Sequence, residues 1–310
     1  MVIDLHCDTF LRLMEGKDNP GLYENNLNID IKKLTKAKSL AQFFAMWINI
    51  RENNPLETCL KMIDKFYMEL DKNQDHIALA TNYEDIMRNK DKGKISAILT
   101  IEDGGAIKGE IHNLRNFYRL GVRGITLTWN NVNEIGFPNI KEEYRNKGLT
   151  EFGREVVHEM NSLGMLIDVS HLSDAGFYDV ARLSKKPFIA SHSNSRAIKD
   201  HFRNLTDDMI KVLSDKGGVI GISFERDFLG DSENAKIEDM VRHIKHIKNV
   251  GGIGVIAIGS DYDGCNPNCE VDNIGEIGKL REALKANKFT EDEIDKIFYQ
   301  NALRVIKDVL

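Results

Sequence analysis

The chain begins with the stretch VIDLHCD (residues 2–8), a short apolar run that ends in polar residues. Its apolar part, Val2 to Leu5, is typical of a buried β-strand. Residues two apart in a strand point to the same side, so His6 and Asp8 are predicted to project together at its carboxyl end. Cys7 is predicted to point the other way and to pack. A histidine and a carboxylate placed in this way can share one metal ion.

Runs of the same kind recur along the chain, and stretches with helical spacing separate them. The eight predicted strands are Val2 to Leu5, Ala41 to Ile48, Ile95 to Ile101, Gly124 to Thr128, Met165 to Val169, Phe188 to Ala190, Val219 to Ser223 and Val255 to Ile258. The predicted helices are Leu56 to Leu70, Ile111 to Leu120, Glu151 to Leu163, Ser173 to Leu183, Thr206 to Asp215, Ile237 to Val250, Ile274 to Ala286 and Glu291 to Leu310. This alternation predicts βαβ units around a parallel sheet. A (β/α)8 barrel has this count, and an open doubly wound sheet is the alternative.

Composition excludes several classes of protein. The chain has 310 residues, of which 42% are hydrophobic, so it can bury a large core without disulfide or metal support. Its formal net charge is -6 and it has no basic stripe, which argues against nucleic-acid binding. We find no signal peptide and no run of 18 apolar residues, so no membrane segment is predicted. Four cysteines are too few for a disulfide framework, which favours a cytoplasmic protein.

Side chains that can bind metals follow five of the eight predicted strands. They are His6 and Asp8 after the first, Glu102 and Asp103 after the third, Asp168 and His171 at the fifth, His192 after the sixth, and Asp261 and Asp263 after the eighth. Barrel enzymes build their chemistry at the carboxyl ends of the strands. Each residue alone has an ordinary explanation, such as a packed histidine or a helix N-cap. The five strand ends together predict a metal site.

The ligand inventory exceeds what one catalytic zinc ion requires, since such an ion takes three protein ligands. Two metal ions that share a carboxylate fit better and would hold a hydroxide between them at neutral pH. Nitrogen and oxygen ligands without thiolate favour zinc, with manganese, cobalt and iron as alternatives. His243 and His246 are three residues apart, but no acidic partner completes a zincin pattern, so they are predicted to be structural. Cys265 and Cys269 give only a weak zinc-knuckle signal.

Several motifs resemble the zinc-dependent membrane dipeptidase (renal dipeptidase) family. They are DLHCDT (4–9), LAQFFAMW (40–47), IEDGG (101–105), DVSH (168–171), SHSNSRA (191–197), GSDYDG (259–264) and NALRV (301–305). The motifs span the chain in order, and an HxD pattern combined with a later glutamate and two histidines is specific. The resemblance implies a (β/α)8 barrel of the metal-dependent hydrolase type, formed by one domain over residues 1–310.

The resemblance also implies which residues bind metal. His6 and Asp8 would bind one zinc ion, and His171 and His192 would bind the other. Glu102 would bridge the two. It further suggests a homodimer, whereas the lipid anchor of the mammalian members has no counterpart in the sequence.

Three further positions follow from the resemblance. Asp261 would lie beside the bridging hydroxide and the free amine of the substrate, as the catalytic acid and base. Arg203 would hold the substrate carboxylate with its planar fork, a role for which Arg196 competes when the residues are considered alone. Trp129 stands where mammalian members have a histidine that contacts the substrate carbonyl. Nearby asparagines that would substitute for that histidine are Asn130, Asn131 and Asn133.

The sequence therefore favours a metal-dependent dipeptidase. A binuclear metal amidohydrolase that acts on another small amide, such as an N-acyl amino acid or a lactam, is the alternative. The loops that would discriminate between them are Asn130 to Asn139 and Phe224 to Asp231. A non-enzymatic, metal-stabilised binding protein is disfavoured, because the proposed ligand positions and the proton-transfer position are all filled.

Overall fold

The computed structural model describes residues 1–15, 21–51, 54–265 and 268–310. The strands in these ranges are all parallel: β1 (Val2–Asp4), β2 (Ser39–Trp47), β3 (Ile77–Leu79), β4 (Ile95–Glu102), β5 (Val122–Thr126), β6 (Leu166–Asp168), β7 (Ile189–Ala190), β8 (Val219–Ile222) and β9 (Ile256–Ile258). They pair in the order β2-β1-β9-β8-β7-β6-β5-β4-β3, and β2 also pairs with β4. That last pairing closes a barrel of eight strands, which confirms the predicted (β/α)8 fold and excludes the open sheet.

The sequence did not predict β3, which lies outside the closed circle. Residues Ile77–Leu79 pair with the first part of β4, whereas β5 pairs with the same edge from Leu99 onward. Only Ile77 of the three is buried, so the segment carries too little apolar pattern to stand out. The third to eighth predicted strands therefore correspond to β4 to β9.

All eight predicted helices are present among the described residues. The α-helices are α1 (Thr9–Glu15), α2 (Ile31–Lys36), α3 (Pro55–Lys72), α4 (Tyr83–Asp91), α5 (Ile111–Arg119), α6 (Glu151–Leu163), α7 (Asp174–Leu183), α8 (Asp207–Asp215), α9 (Arg226–Leu229), α10 (Ile237–Gly251), α11 (Gly278–Ala286), α12 (Glu291–Asp295) and α13 (Asn301–Val309). Helices α1, α2, α4 and α9 were not predicted. Three of them, α1, α2 and α9, have seven residues or fewer. Within the described ranges, none of the helices combines the length and the apolar character that crossing a membrane requires.

Two predicted helices are irregular at particular turns. The one that begins at Ile274 starts with a 3-10 turn before α11. The predicted helix from Glu291 to Leu310 contains a π-helical segment, Lys296–Gln300, between α12 and α13. It begins as predicted, with a capping box in which Thr290 and Glu293 satisfy each other's backbone N–H groups.

The amino end of the barrel is closed by α13. Asn301 donates through Nδ2 to the carbonyl of Ile256 (2.8 Å), and Arg304 donates through Nη1 to that of Gly217 (2.5 Å). These carbonyls lie at or just before the starts of β9 and β8. The apolar cluster inside the barrel includes Ile3, Leu5, Leu166, Ile189, Val219, Ala302, Val305 and Ile306. Because all the strands are parallel, their carboxyl ends, with the polar residues identified in the sequence, lie at the opposite end of the barrel.

Candidate active site

Beyond β1 the chain stays extended, because it is bonded to the neighbouring segment. The N–H of Asp8 donates to the carbonyl of Tyr262 (2.9 Å), and the N–H of Asp261 donates to that of His6 (3.2 Å). The alternation of sides therefore continues past the end of the strand. Cys7 is fully buried in the apolar layer, as predicted, while His6 and Asp8 turn toward the open end of the barrel.

The five predicted metal ligands converge on Glu102, the last residue of β4. His6 Nε2 lies 3.3 Å from Asp8 Oδ2 and 3.3 Å from Glu102 Oε2. The other oxygen of the glutamate, Oε1, lies 2.9 Å from His171 Nε2 and 3.5 Å from His192 Nε2. All five side chains are buried. Glu102 therefore faces His6 with one carboxylate oxygen, and His171 and His192 with the other.

Burial and crowding shift the ionisation of this cluster. Burial raises the pKa of Glu102 to about 7. Burial opposes the charged form of His6, but Glu102 and Asp8 outweigh it and raise the pKa of that imidazole well above its usual value. Burial lowers the pKa of His171 and of His192 well below the usual value. These two imidazoles are neutral at pH 7, which is the form that binds metal ions.

The cluster fits a metal centre on two observations. His6 Nε2 and Asp8 Oδ1 are buried and have no hydrogen-bond partner among the described residues, and an unsatisfied buried polar atom costs about 1–3 kcal/mol. The second observation is that the described residues contain three groups of side chains whose potential ligand atoms lie within 4.8 Å of one another, a spacing at which a cation can be held. They are His6, Asp8 and Asp261; Glu102, His171 and His192; and His6, Asp168 and His192.

Asp261 lies at the rim of this cluster. Its Oδ1 is 3.9 Å from His6 Nε2, and its side chain is 14% exposed, against 2% for His6 and 3% for Glu102. Its backbone is left-handed, with φ of 64°. Burial raises the pKa of Asp261 well above its usual range, and the neighbouring carboxylates of Asp8 and Glu102 raise it further, although His6 acts in the opposite direction. Of the three carboxylates of the cluster that line the cavity, Asp261 is the most exposed.

Gly264 makes this close approach of carboxylates feasible. A Cβ atom added at Gly264 would lie 2.0 Å from Asp8 Oδ2 and 3.0 Å from Asp261 Oδ1. We expect Gly264→Ala to displace the Asp8 side chain and to lower the affinity of this cluster for a metal ion by about 10-fold or more, a loss typical of a misplaced ligand shell. Titration with Zn2+ as the probe ion, in competition with a chelator, measures the affinity. Gly278→Ala, where no atom lies within 4 Å of the added Cβ, is the matched control and should match wild type; equal behaviour of the two variants would contradict the prediction.

A cavity of about 520 Å³ opens above the cluster, and its wall includes Glu102, His171, Asp261, Trp129, Arg203 and Phe228. Arg203 is 2% exposed, and its Nη2 donates to the carbonyl of His192 (3.1 Å). Its Nε and Nη1 have no hydrogen-bond partner among the described residues. Burial lowers the pKa of Arg203 to about 10, so it stays cationic at neutral pH. The guanidinium can therefore bind an anion in the cavity.

Arg196 does not compete for that place. It forms a bidentate ion pair with Asp174, at 2.8 and 2.9 Å, and it lines another pocket. Of the two arginines left open by the sequence, the structure places only Arg203 in this cavity.

Trp129 packs edge to face against Trp47, with ring centroids 4.9 Å apart, and both rings line the cavity. Its centroid is 6.3 Å from that of His171. Of the three nearby asparagines, Asn130 lines the cavity, with its Oδ1 3.1 Å from His171 Nδ1. Asn133 instead is buried and donates to Asp103 (2.7 Å).

The remaining sequence candidates have structural contacts. Asp103 caps the 3-10 turn after β4, and Asp263 ties its loop to the start of α1. His243 is fully buried and forms hydrogen bonds with the N–H of Ser195 and with the carbonyl of Leu229, as the structural prediction for it requires. Cys265 and Cys269 are free thiols and belong to none of the candidate ligand groups among the described residues.

The closed barrel, with imidazoles and carboxylates gathered at the carboxyl ends of its strands, defines the class of (β/α)8-barrel metal-dependent hydrolases. The family model of the membrane dipeptidases, Peptidase family M19, matches residues 1–310. The chain belongs to this family of metallopeptidases, and it is a dipeptidase-type hydrolase.

The chain is similar to curated relatives and solved structures over most of its length. The chain is 34% identical over 244 residues to a Klebsiella pneumoniae protein named for its position in the pqqA 5'region, covering 75% of this chain and 89% of that protein. It is 29% identical over 294 residues to dipeptidase aclJ of Aspergillus oryzae, covering 91% and 70% of the two chains. The structure of dipeptidase AC, of family M19, superposes with a TM-score of 0.92 at 25% identity, covering 99% and 98%. A Rhodobacter sphaeroides metallopeptidase, bound to a phosphinate mimic of the dipeptide L-Ala-D-Ala, gives 0.92 at 24% identity, covering 100% and 99%.

Proposed function

We propose that the protein is a binuclear zinc dipeptidase, formed by one barrel domain over residues 1–310, that hydrolyses the peptide bond of free dipeptides. The observation that carries the proposal is the position of Glu102, which faces a ligand group on each side beneath a cavity that Arg203 also lines. The proposed ligands are His6 and Asp8 for one ion, His171 and His192 for the other, and Glu102 for both. Bound zinc supplies Lewis acidity and a nucleophile at neutral pH.

The remaining chemistry belongs to the chain. Asp261 accepts the proton of the attacking water and returns it to the nitrogen of the leaving amine, while the water oxygen becomes part of the new carboxylic acid. Its charge also attracts the free α-amine of the substrate. Arg203 holds the C-terminal carboxylate with Nε and Nη1, for which the described part of the chain offers no hydrogen-bond partner. Trp129 forms the apolar wall between them. Because Asp261 binds the free amine at one end of the substrate and Arg203 binds the free carboxylate at the other, only short peptides fit between them.

A panel of peptides tests this proposal against the amidohydrolase alternative. Zinc-loaded protein is assayed with L-Ala-L-Ala, L-Ala-D-Ala, tri-alanine and N-acetyl-L-Ala-L-Ala. We expect kcat/KM for the best free dipeptide to exceed that for the blocked and longer peptides by at least about 10-fold, because each unmatched charged group costs about 1.4 kcal/mol or more. Equal or faster cleavage of the acetylated peptide would overturn the dipeptidase proposal and favour the amidohydrolase. A cytoplasmic location and a homodimer complete the proposal, and both rest on the sequence alone.

A further inference from the structure

We propose that Ser191, supported by Asp168, is a positioning residue that holds His192 in the tautomer that binds metal. This inference rests on the proposed zinc site. The Ser191 hydroxyl has three neighbours: its Oγ is 2.5 Å from Asp168 Oδ2, 2.7 Å from His192 Nδ1 and 3.2 Å from the Ser170 hydroxyl, which itself donates to Asp168. The two shortest contacts, to Asp168 and His192, decide the orientation of the hydroxyl. All four residues are buried. The direction of the two hydrogen bonds decides where the imidazole carries its proton.

Asp168 can only accept in this setting. Five donors converge on its two oxygens: the Thr126 hydroxyl at 2.7 Å, the Ser170 N–H and hydroxyl at 3.0 and 2.7 Å, and the Ser191 N–H and hydroxyl at 2.9 and 2.5 Å. By distance alone Asp168 would form a ligand group with His6 and His192. Its oxygens are already occupied by these donors, so we place it behind the metal ligands rather than among them.

The single hydroxyl proton of Ser191 must therefore point at Asp168, since the opposite arrangement would set two unprotonated oxygens 2.5 Å apart. The Ser191 oxygen then accepts from His192, whose Nδ1 carries the ring proton. The Nε2 atom is left with a free lone pair, 3.0 Å from His171 Nε2 and 3.5 Å from Glu102 Oε1. The other tautomer would direct an N–H group into the place proposed for the ion.

A related contact exists at the second imidazole. His171 Nδ1 lies 3.1 Å from Asn130 Oδ1, an oxygen that accepts a hydrogen bond. Both rings therefore present unprotonated Nε2 atoms to each other across 3.0 Å, an arrangement that a cation between them satisfies. Such outer partners of metal-binding histidines typically change metal affinity by about 10–100-fold when removed.

Ser170 provides a matched control for Ser191. Its hydroxyl is equally buried and also donates to Asp168 (2.7 Å), but it accepts from the backbone N–H of His192 (3.1 Å) rather than from the ring. Ser170→Ala and Ser191→Ala therefore remove the same group from the same carboxylate. Only Ser191→Ala removes the oxygen that accepts the hydrogen bond from His192 Nδ1, so only this variant lets the imidazole change its tautomer.

The test measures zinc release from the zinc-loaded, full-length protein to a competing chelator. We expect Ser191→Ala to lower zinc affinity by about 10–100-fold and Ser170→Ala by less than about 3-fold. Asp168→Asn should lower zinc affinity at least as much as Ser191→Ala does, because the asparagine amide can donate to the Ser191 oxygen and turn the serine proton toward the ring of His192. Ser191→Thr, which keeps the hydroxyl, should recover most of the loss.

Equal zinc release from the two alanine variants would overturn the inference, as would a Ser191→Ala protein that retains zinc like wild type. A wild-type protein that binds no zinc would instead overturn the proposed function. If Asp168→Asn fails to fold, as judged by circular dichroism, the alanine pair still decides the question.

Discussion

Asp261→Asn is expected to lower kcat for dipeptide hydrolysis by about 10²–10⁴-fold, the range that a positioned proton carrier contributes. Asparagine has the shape of aspartate but cannot accept and return a proton. Because the five proposed metal ligands, His6, Asp8, Glu102, His171 and His192, remain in place, the change should leave the zinc content unaltered. Steady-state kinetics and elemental analysis of the same preparation measure the two quantities.

The control for this prediction is Asp227→Asn, which removes the charge of an exposed carboxylate on the wall of the same cavity. It should keep kcat within about 3-fold, since an exposed charge contributes at most about 1 kcal/mol. An Asp261→Asn enzyme as active as wild type would exclude the proposed role in proton transfer. Loss of zinc from that variant would make Asp261 a ligand instead.

Glu102→Gln is expected to abolish stable zinc binding and to lower activity by about 10³-fold or more, because the metal ions supply several kcal/mol of transition-state stabilisation. The amide offers a single, uncharged oxygen in place of the two that face His6 and His171. Elemental analysis after dialysis and the dipeptide assay measure the loss. Glu110→Gln, an exposed residue just before α5, should keep both properties.

The same substitution should act in the opposite direction on the stability of zinc-free protein. Glu102 has a pKa raised by burial from 4.5 to about 7. The folded state therefore binds more protons than the unfolded state between these values, and the buried carboxylate destabilises the fold increasingly as the pH rises through this window. At pH 8, zinc-free Glu102→Gln should melt above zinc-free wild type in a thermal scan. A lower melting temperature would show that Glu102 stabilises the fold without metal.

The barrel and the ligand cluster could be predicted from the sequence because one rule serves both. Parallel strands joined by crossovers present their carboxyl ends at the same side, so His6, Glu102, His171 and His192 had to meet once their strands were identified. That conclusion depends neither on the exact helix boundaries nor on strand β3, which the sequence did not predict.

Other features depend on the paths of loops, which no local pattern encodes. Arg196 and Arg203 lie on the same loop after β7, and only the folded path shows that one pairs with Asp174 while the other reaches the cavity. The contacts of Ser191 with His192 and of Asn130 with His171 also depend on the folded paths of loops. Their only sequence signal is position: each follows a strand end that carries or adjoins a proposed ligand.

The most direct test of the account is a titration of zinc-depleted protein with zinc, followed by the rate of L-Ala-D-Ala hydrolysis. The binuclear proposal predicts no activity without metal and a rate that rises to a plateau at about two zinc ions per chain. Hydrolysis that is independent of zinc, a plateau at one ion per chain, or no dipeptide hydrolysis at any zinc concentration would contradict it.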